Sequence, residues 1–124
     1  MIEYTVKEWY RNDKLHREDG PAVEWVDGSK FWMLDDKYYR EDGPACEYAD
    51  GYKSWFINGE RHRVDGPAVE YPDGEKLWYL NGKGLTKEEF NRRMKKHTIE
   101  IDGKTIEISE DSYQKMKESL TSES

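Results

Sequence analysis

Cysteine occurs once in these 124 residues, as Cys46, so no intrachain disulfide can staple the fold. Apolar runs long enough to span a bilayer are missing. The opening Met-Ile-Glu-Tyr-Thr-Val-Lys lacks the basic flank and apolar stretch of a secretory leader, so the expected location is the cytoplasm, away from membranes. Basic charge is in deficit. Twenty Lys and Arg face 27 Asp and Glu, giving a net charge of −7, which disfavours general binding to nucleic-acid backbones. The hydrophobic set is only 35 % against 38 % charged residues, a balance close to that of disordered chains.

Aromatic residues reverse that last inference. Five Trp and nine Tyr are enough to hold a thin sheet, because each ring buries a large area on a pleated surface. They also recur with a fixed period. Trp9, Trp32, Trp55 and Trp78 are spaced 23 residues apart, and Arg17, Arg40 and Arg63 keep the same step, as do the Asp-Gly-Pro-Ala runs at Asp19, Asp42 and Asp65. Such a period means stacked units, none of which buries its apolar face alone. The array covers residues 1–83, as a partial unit (2–14) and three full ones (15–37, 38–60 and 61–83).

Each full unit reads as a β-hairpin. Asp27-Gly28, Asp50-Gly51 and Asp73-Gly74 predict two-residue type I′ turns. That turn pairs Val26 with Ser29, setting Val23 opposite Trp32 and Trp25 opposite Lys30. One face then carries Val23, Trp25, Trp32 and Leu34, with Cys46, Tyr48, Trp55 and Ile57, and Val69, Tyr71, Trp78 and Leu80 after them; this is the expected core. The other face carries Glu24, Glu47 and Glu70, then Phe31, Ser54 and Leu77, then Met33, Phe56 and Tyr79, and varies between units. Second turns at Asp35-Asp36, Asn58-Gly59 and Asn81-Gly82 again call for positive φ. With a strand from Glu3 to Tyr10, about seven antiparallel strands are expected. The fold class is therefore mainly β, an open single-layer sheet of repeated hairpins.

Residues 84–124 read as a short helix-hairpin-helix cap. Thr86-Lys87-Glu88-Glu89 forms a capping box, stapled by Leu85 and Phe90, for a helix from Lys87 to about Lys96. Asp102-Gly103 turns a hairpin with Ile99, Ile101, Ile106 and Ile108 on one face. A last helix starts at Ser109 with Tyr113, Met116 and Leu120 on one side, and 121–124 should fray.

The motif Asn-Gly-x-x-His-Arg-x-Asp-Gly-Pro-Ala (Asn58 to Ala68), followed by Asp-Gly and an aromatic strand, resembles the MORN-like class of hairpin repeats. More closely it is similar to repeat proteins of large bacteriophages and other large DNA viruses, whose units end in a segment like Leu85-Thr86-Lys87-Glu88-Glu89-Phe90. The units differ from true MORN repeats in lacking Tyr-x-Gly-x-Trp and in adding the Arg-x-Asp-Gly-Pro corner. The phage-like resemblance implies an accessory protein made during infection and acting on a host protein in the host cell's cytoplasm.

No enzymatic constellation is present, and neither a cofactor nor a metal is expected. His16 and His62 stand two units apart and fit no zinc spacing. The row Glu24, Glu47 and Glu70 is that of a solvated face with cross-strand lysines. The leading expectation is a non-enzymatic interaction protein that binds a host protein, such as a defence component, and is a candidate inhibitor of it. The surface would be the variable face, with Tyr10, Met33, Phe56, Tyr79 and Tyr52. The alternative is a sponge for a small anionic ligand such as a signalling nucleotide, held by Arg17, Arg40 and Arg63 with His16 and His62. A purely structural accessory role is the third reading. Against the sponge, each Arg lies two residues before an Asp that can neutralise it and fix the corner.

Overall fold

The Asp-Gly turns set the register of the whole array, and they are one residue longer than the dipeptide predicts. In the computed structural model, which describes residues 5–122, Gly28, Gly51 and Gly74 have φ of +98°, +103° and +94°, while the aspartates before them keep negative φ. Gly28 N–H donates to the Trp25 carbonyl at 3.0 Å, and Trp25 N–H donates to the Ser29 carbonyl at 2.9 Å. The loop is thus Val26-Asp27-Gly28, a type I turn closed by a glycine bulge. Each aspartate locks the shape by accepting the amide two residues on, at Ser29, Tyr52 and Glu75, all at 2.9 Å.

Because side chains alternate along a strand, that extra residue turns the return strands over. Val23 faces Phe31 and Glu24 faces Lys30, in place of the expected Val23–Trp32 and Trp25–Lys30 pairs. Genuine type I′ turns occur at the second turn, where both central residues have positive φ: Asn12 and Asp13, Asp35 and Asp36, Asn58 and Gly59, Asn81 and Gly82.

The first compact unit ends at Leu85 and the second starts at Thr86. In the first, the chain runs β1 (Val6–Glu8), β2 (Tyr10–Arg11), β3 (Lys14–Leu15), β4 (Val23–Trp25), β5 (Lys30–Phe31), β6 (Met33–Leu34) and β7 (Lys37–Tyr38). It continues through β8 (Cys46–Glu47), β9 (Lys53–Ser54), β10 (Phe56–Ile57), β11 (Glu60–Arg61), β12 (Val69–Glu70), β13 (Lys76–Leu80) and β14 (Lys83–Leu85). Among the described residues, eight strands make one antiparallel sheet in the order β1-β4-β5-β8-β9-β12-β13-β14, and β2-β3, β6-β7 and β10-β11 are separate two-stranded ribbons. The seven expected strands are therefore eight plus ribbons, because Trp9, Trp32 and Trp55 interrupt each long strand. Trp32 donates its N–H across to Ala45 of the next unit and accepts Tyr39 N–H on its own carbonyl. Val6–Glu8 places the partial first unit in register against β4; Glu3 and Tyr4 lie outside the described residues.

The faces are consequently not those expected. Val23, Phe31 and Cys46 form the buried core cluster, joined by Met33, Tyr38 and Phe56 at its margin, and Ser54 and Val69 are each 1 % exposed. Phe31 and Ser54, assigned to the variable face, are thus core, and Trp25, Tyr48 and Tyr71, assigned to the core, are exposed. Trp9, Trp32 and Trp55, with Glu24, Glu47 and Glu70, occupy the other side of the sheet. Ala22, Ala45 and Ala68 are fully buried and join the units. Each gives its N–H to its own return strand and its carbonyl to the preceding Trp N–H, all at 2.7–2.9 Å.

Cys46 is 4 % exposed, and burial pushes its thiol pKa up, opposed in part by bonds with Ser54 and Tyr38. Only a thiolate alkylates efficiently. Iodoacetamide should therefore modify the native protein roughly 100-fold more slowly than the urea-unfolded chain, with opening of the sheet as the limiting step. Equal rates, followed by mass spectrometry, would contradict this burial.

In the second unit, α1 (Lys87–Met94) starts at the expected capping box, with Thr86 Oγ1 accepting Glu89 N–H at 3.0 Å. It stops about two residues short of the expected end. Lys95 is extended, and Lys96 already opens β15 (Lys96–Ile101), which pairs with β16 (Lys104–Ser109). The Asp102-Gly103 turn is type I′, and Ile99, Ile101, Ile106 and Ile108 share one face as expected, with His97 beside them opposite Ile108. α2 (Glu110–Ser122) is capped by Ser109 and extends past Leu120 to Ser122. His97 bonds Glu110 and stacks on the Tyr113 ring at 3.7 Å. The Glu110 carboxyl is held below its ordinary range by bonds from Gln114 and then His97.

Candidate binding surfaces

Two side-chain arrays repeat with the units, one on each face. The first is built on the Arg-x-Asp-Gly-Pro-Ala corner. The Arg40 guanidinium lies 3.7 Å over the Trp32 ring, and Arg17 and Arg63 lie 4.0 and 3.9 Å over Trp9 and Trp55. Its Nε donates to Asp42 at 3.1 Å, and its Nη1 donates to the Pro44 carbonyl at 3.0 Å and approaches Glu47 at 3.4 Å. The equivalent contacts recur at Arg17 with Asp19, Pro21 and Glu24, and at Arg63 with Asp65, Pro67 and Glu70.

The glycine of the motif is explained by the same packing. A methyl group on Gly43 would sit 2.8 Å from the guanidinium carbon, so any side chain there would push the arginine off its seat against the indole. Every residue type in Asp-Gly-Pro-Ala thus serves the corner: an acceptor, a gap, a carbonyl and a buried methyl.

This row is electrostatically closed. Each guanidinium faces two carboxylates, and its side chain is only 22–25 % exposed. The open grooves between corners, of about 660 Å³ and 610 Å³, are rimmed by Glu18, Asp19, Glu41 and Asp42 in the first and Glu41, Asp42 and Asp65 in the second. His16 and His62 are turn ligands. Their Nδ1 atoms accept the amides of Asp35 at 3.1 Å and Asn81 at 2.9 Å, tying the start of each unit to its own type I′ turn. The cross-strand lysines expected beside the glutamate row are present, as Lys30, Lys53 and Lys76 opposite Glu24, Glu47 and Glu70. Among the described residues, no group of three or more His, Cys, Asp or Glu is placed to hold a metal.

The second array is on the aromatic face, and it divides the residues that the sequence groups together. Tyr10 is 59 % exposed and gives its hydroxyl to Glu8 at 2.7 Å. Met33 and Phe56 are half-buried against the core cluster. Tyr79 is half-buried as well, and the Arg61 guanidinium lies 5.5 Å from both the Phe56 and Tyr79 rings. These four do not make an open stripe; half of it is core margin and part is covered by Arg61. The expected accessible row therefore fails for the same reason as the face assignment, the longer turn.

Tyr52 belongs to a different and more open group. The Tyr48, Tyr52 and Tyr71 rings meet edge to face in two steps of 5.3 Å, and Phe31 anchors the row from the core at 5.2 Å from Tyr48. Tyr48 is 46 % and Tyr71 37 % exposed, and Trp25 holds the same strand position one unit earlier at 45 %. With Asp50 and Pro72 the tyrosines line a shallow recess of about 340 Å³. Sequence reasoning missed Tyr48 and Tyr71 by placing them in the core. The available signal was their position directly before the turn, where a polar-tipped aromatic reaches water.

No protein-family model, curated protein or solved structure matches this chain, so the functional reading rests on its own geometry.

Proposed function

We propose that this chain is a non-enzymatic binding module that engages a protein partner through the Tyr48–Tyr52–Tyr71 strip. The contiguous rings, exposed at Tyr48 and Tyr71 and half-buried at Tyr52, carry the reading. Tyrosine supplies large, rigid, amphipathic contact area at low entropic cost, and such surfaces dominate protein recognition. The likeness of the repeat to phage and large-virus proteins points to a bacterial host protein, a defence component for example, with inhibition as the consequence of capture.

The sponge reading is weaker on physical grounds. An anionic ligand at Arg17, Arg40 or Arg63 would have to displace two carboxylates from each guanidinium. A nucleotide that raised the melting temperature would reverse that ranking.

Immobilised wild-type protein should retain a defined protein from bacterial host lysate, and Tyr48→Ser with Tyr71→Ser should reduce the captured amount at least tenfold with an unchanged circular-dichroism spectrum. Retention of the same protein by that variant at wild-type level would remove the strip as the binding surface. Phe56 and Tyr79 make a poorer test, since truncating half-buried rings also loosens the fold.

A further inference from the structure

The recess at the strip combines rings, spacing and charge in a way that narrows the partner's chemistry. We infer that the strip accepts a polyproline II segment carrying a basic residue at every third position. This rests on the strip being the partner-binding surface.

Spacing comes first. Each unit adds two strands to the sheet, so equivalent positions recur about every 9.6 Å across it, in line with the two 5.3 Å steps from Tyr48 through Tyr52 to Tyr71. A polyproline II helix turns once in three residues and about 9.3 Å, so one of its edges meets successive units in phase. A β-strand presents like-facing side chains about every 6.7 Å and drifts out of phase. An α-helix has a turn of about 5.4 Å, near the ring step, but at about 10 Å across it needs a continuous apolar trough. The recess is shallow, with Asp50 at its rim.

Polarity agrees with the same occupant. A polyproline II backbone keeps its carbonyls unbonded, and tyrosine hydroxyls beside flat rings and a proline (Pro72) offer both donors and stacking surface. Charge supplies the third element. Asp50 and Asp73 spend Oδ1 on the turn amides and remain exposed carboxylates at this end of the hairpins. Lys53 pairs in register with Glu47 and Glu70, and Lys76 with Glu70, on the opposite face, so Asp50 is the charged group that lines the recess. An arginine reaching the strip gains a tyrosine face and a carboxylate together.

The test uses the full chain and labelled peptides in fluorescence anisotropy. (Arg-Pro-Pro)₄ should bind at least tenfold more tightly than a peptide of equal composition with the arginine period scrambled, and than (Glu-Pro-Pro)₄. Tyr48→Ser with Tyr71→Ser should weaken it tenfold or more. Asp50→Asn with Asp73→Asn, which keeps the turn acceptor and removes the charge, should weaken it severalfold and flatten its salt dependence. Equal binding of the scrambled peptide, or binding indifferent to both variant pairs, would overturn the inference, as would no binding of (Arg-Pro-Pro)₄. If the tyrosine variant loses the captured host protein while (Arg-Pro-Pro)₄ does not bind, the strip stands as the interface and the peptide class falls. If capture survives that variant, both fall.

Discussion

Phe31→Ala should lower the unfolding free energy by about 3–4 kcal/mol, the usual range for emptying an aromatic core site, whereas Trp25→Ala should cost less than half as much although it removes the larger ring. Phe31 is 9 % exposed, sits in the core cluster with Val23 and Cys46, and meets the Tyr38 and Tyr48 rings at 6.2 and 5.2 Å. Trp25 is 45 % exposed, so much of its surface is in water before and after truncation. Urea unfolding of the two variants measures the difference. The reverse order would mean that the hairpin closes with a two-residue loop, since that register turns Phe31 outward.

The same pair of residues marks where the sequence stops being legible. The 23-residue period, the positions of both turns and the antiparallel order of the hairpins are written in Asp-Gly, Asn-Gly and Trp at fixed steps. So is the partnership of each Arg with the Asp two residues on. The loop length is not. Asp-Gly satisfies a type I′ turn, with both residues at positive φ, and equally a type I turn with a glycine bulge, with only the glycine there. One residue separates them, and it exchanges the faces of every return strand. The constant tryptophans deepened the ambiguity, because a ring that recurs as the platform for an arginine has the same period as a ring that recurs in a core. Ser54, 1 % exposed between Cys46 and Val69, is the residue whose polarity most misled the face assignment. In the second unit, Thr86 and Asp102-Gly103 act only through local geometry, and there the reading from sequence holds to within about two residues.

Arg40→Ala should cost about 3 kcal/mol, and the size follows from what the guanidinium touches. Its stacking on Trp32, largely out of water, is worth about 1 kcal/mol. The charged bond to the Pro44 carbonyl is worth about 1.5–3 kcal/mol, because its removal strands a part-buried acceptor. The ion pair with Asp42 adds least, about 0.5 kcal/mol, since that carboxylate is 88 % exposed and screened. Asp42→Asn should accordingly be near neutral. Arg40→Lys should recover less than half of the loss, because a point charge cannot lie flat on the indole and reach both acceptors. If Asp42→Asn proved as costly as Arg40→Ala, the corner would be an ion pair first and a stacked joint second. The position of Arg40 adds a further consequence. Arg40 belongs to unit 38–60 and stacks on Trp32 of unit 15–37, so the corner couples neighbours along the array. Loosening the middle joint should broaden the urea transition as the units part company. The tyrosine strip lies on the opposite face, so below its lowered melting temperature the Arg40→Ala protein should bind partner and peptide as wild type does. The arginine corner, constant between units, then serves stability alone, while the face whose residues change carries both the core and the recognition strip.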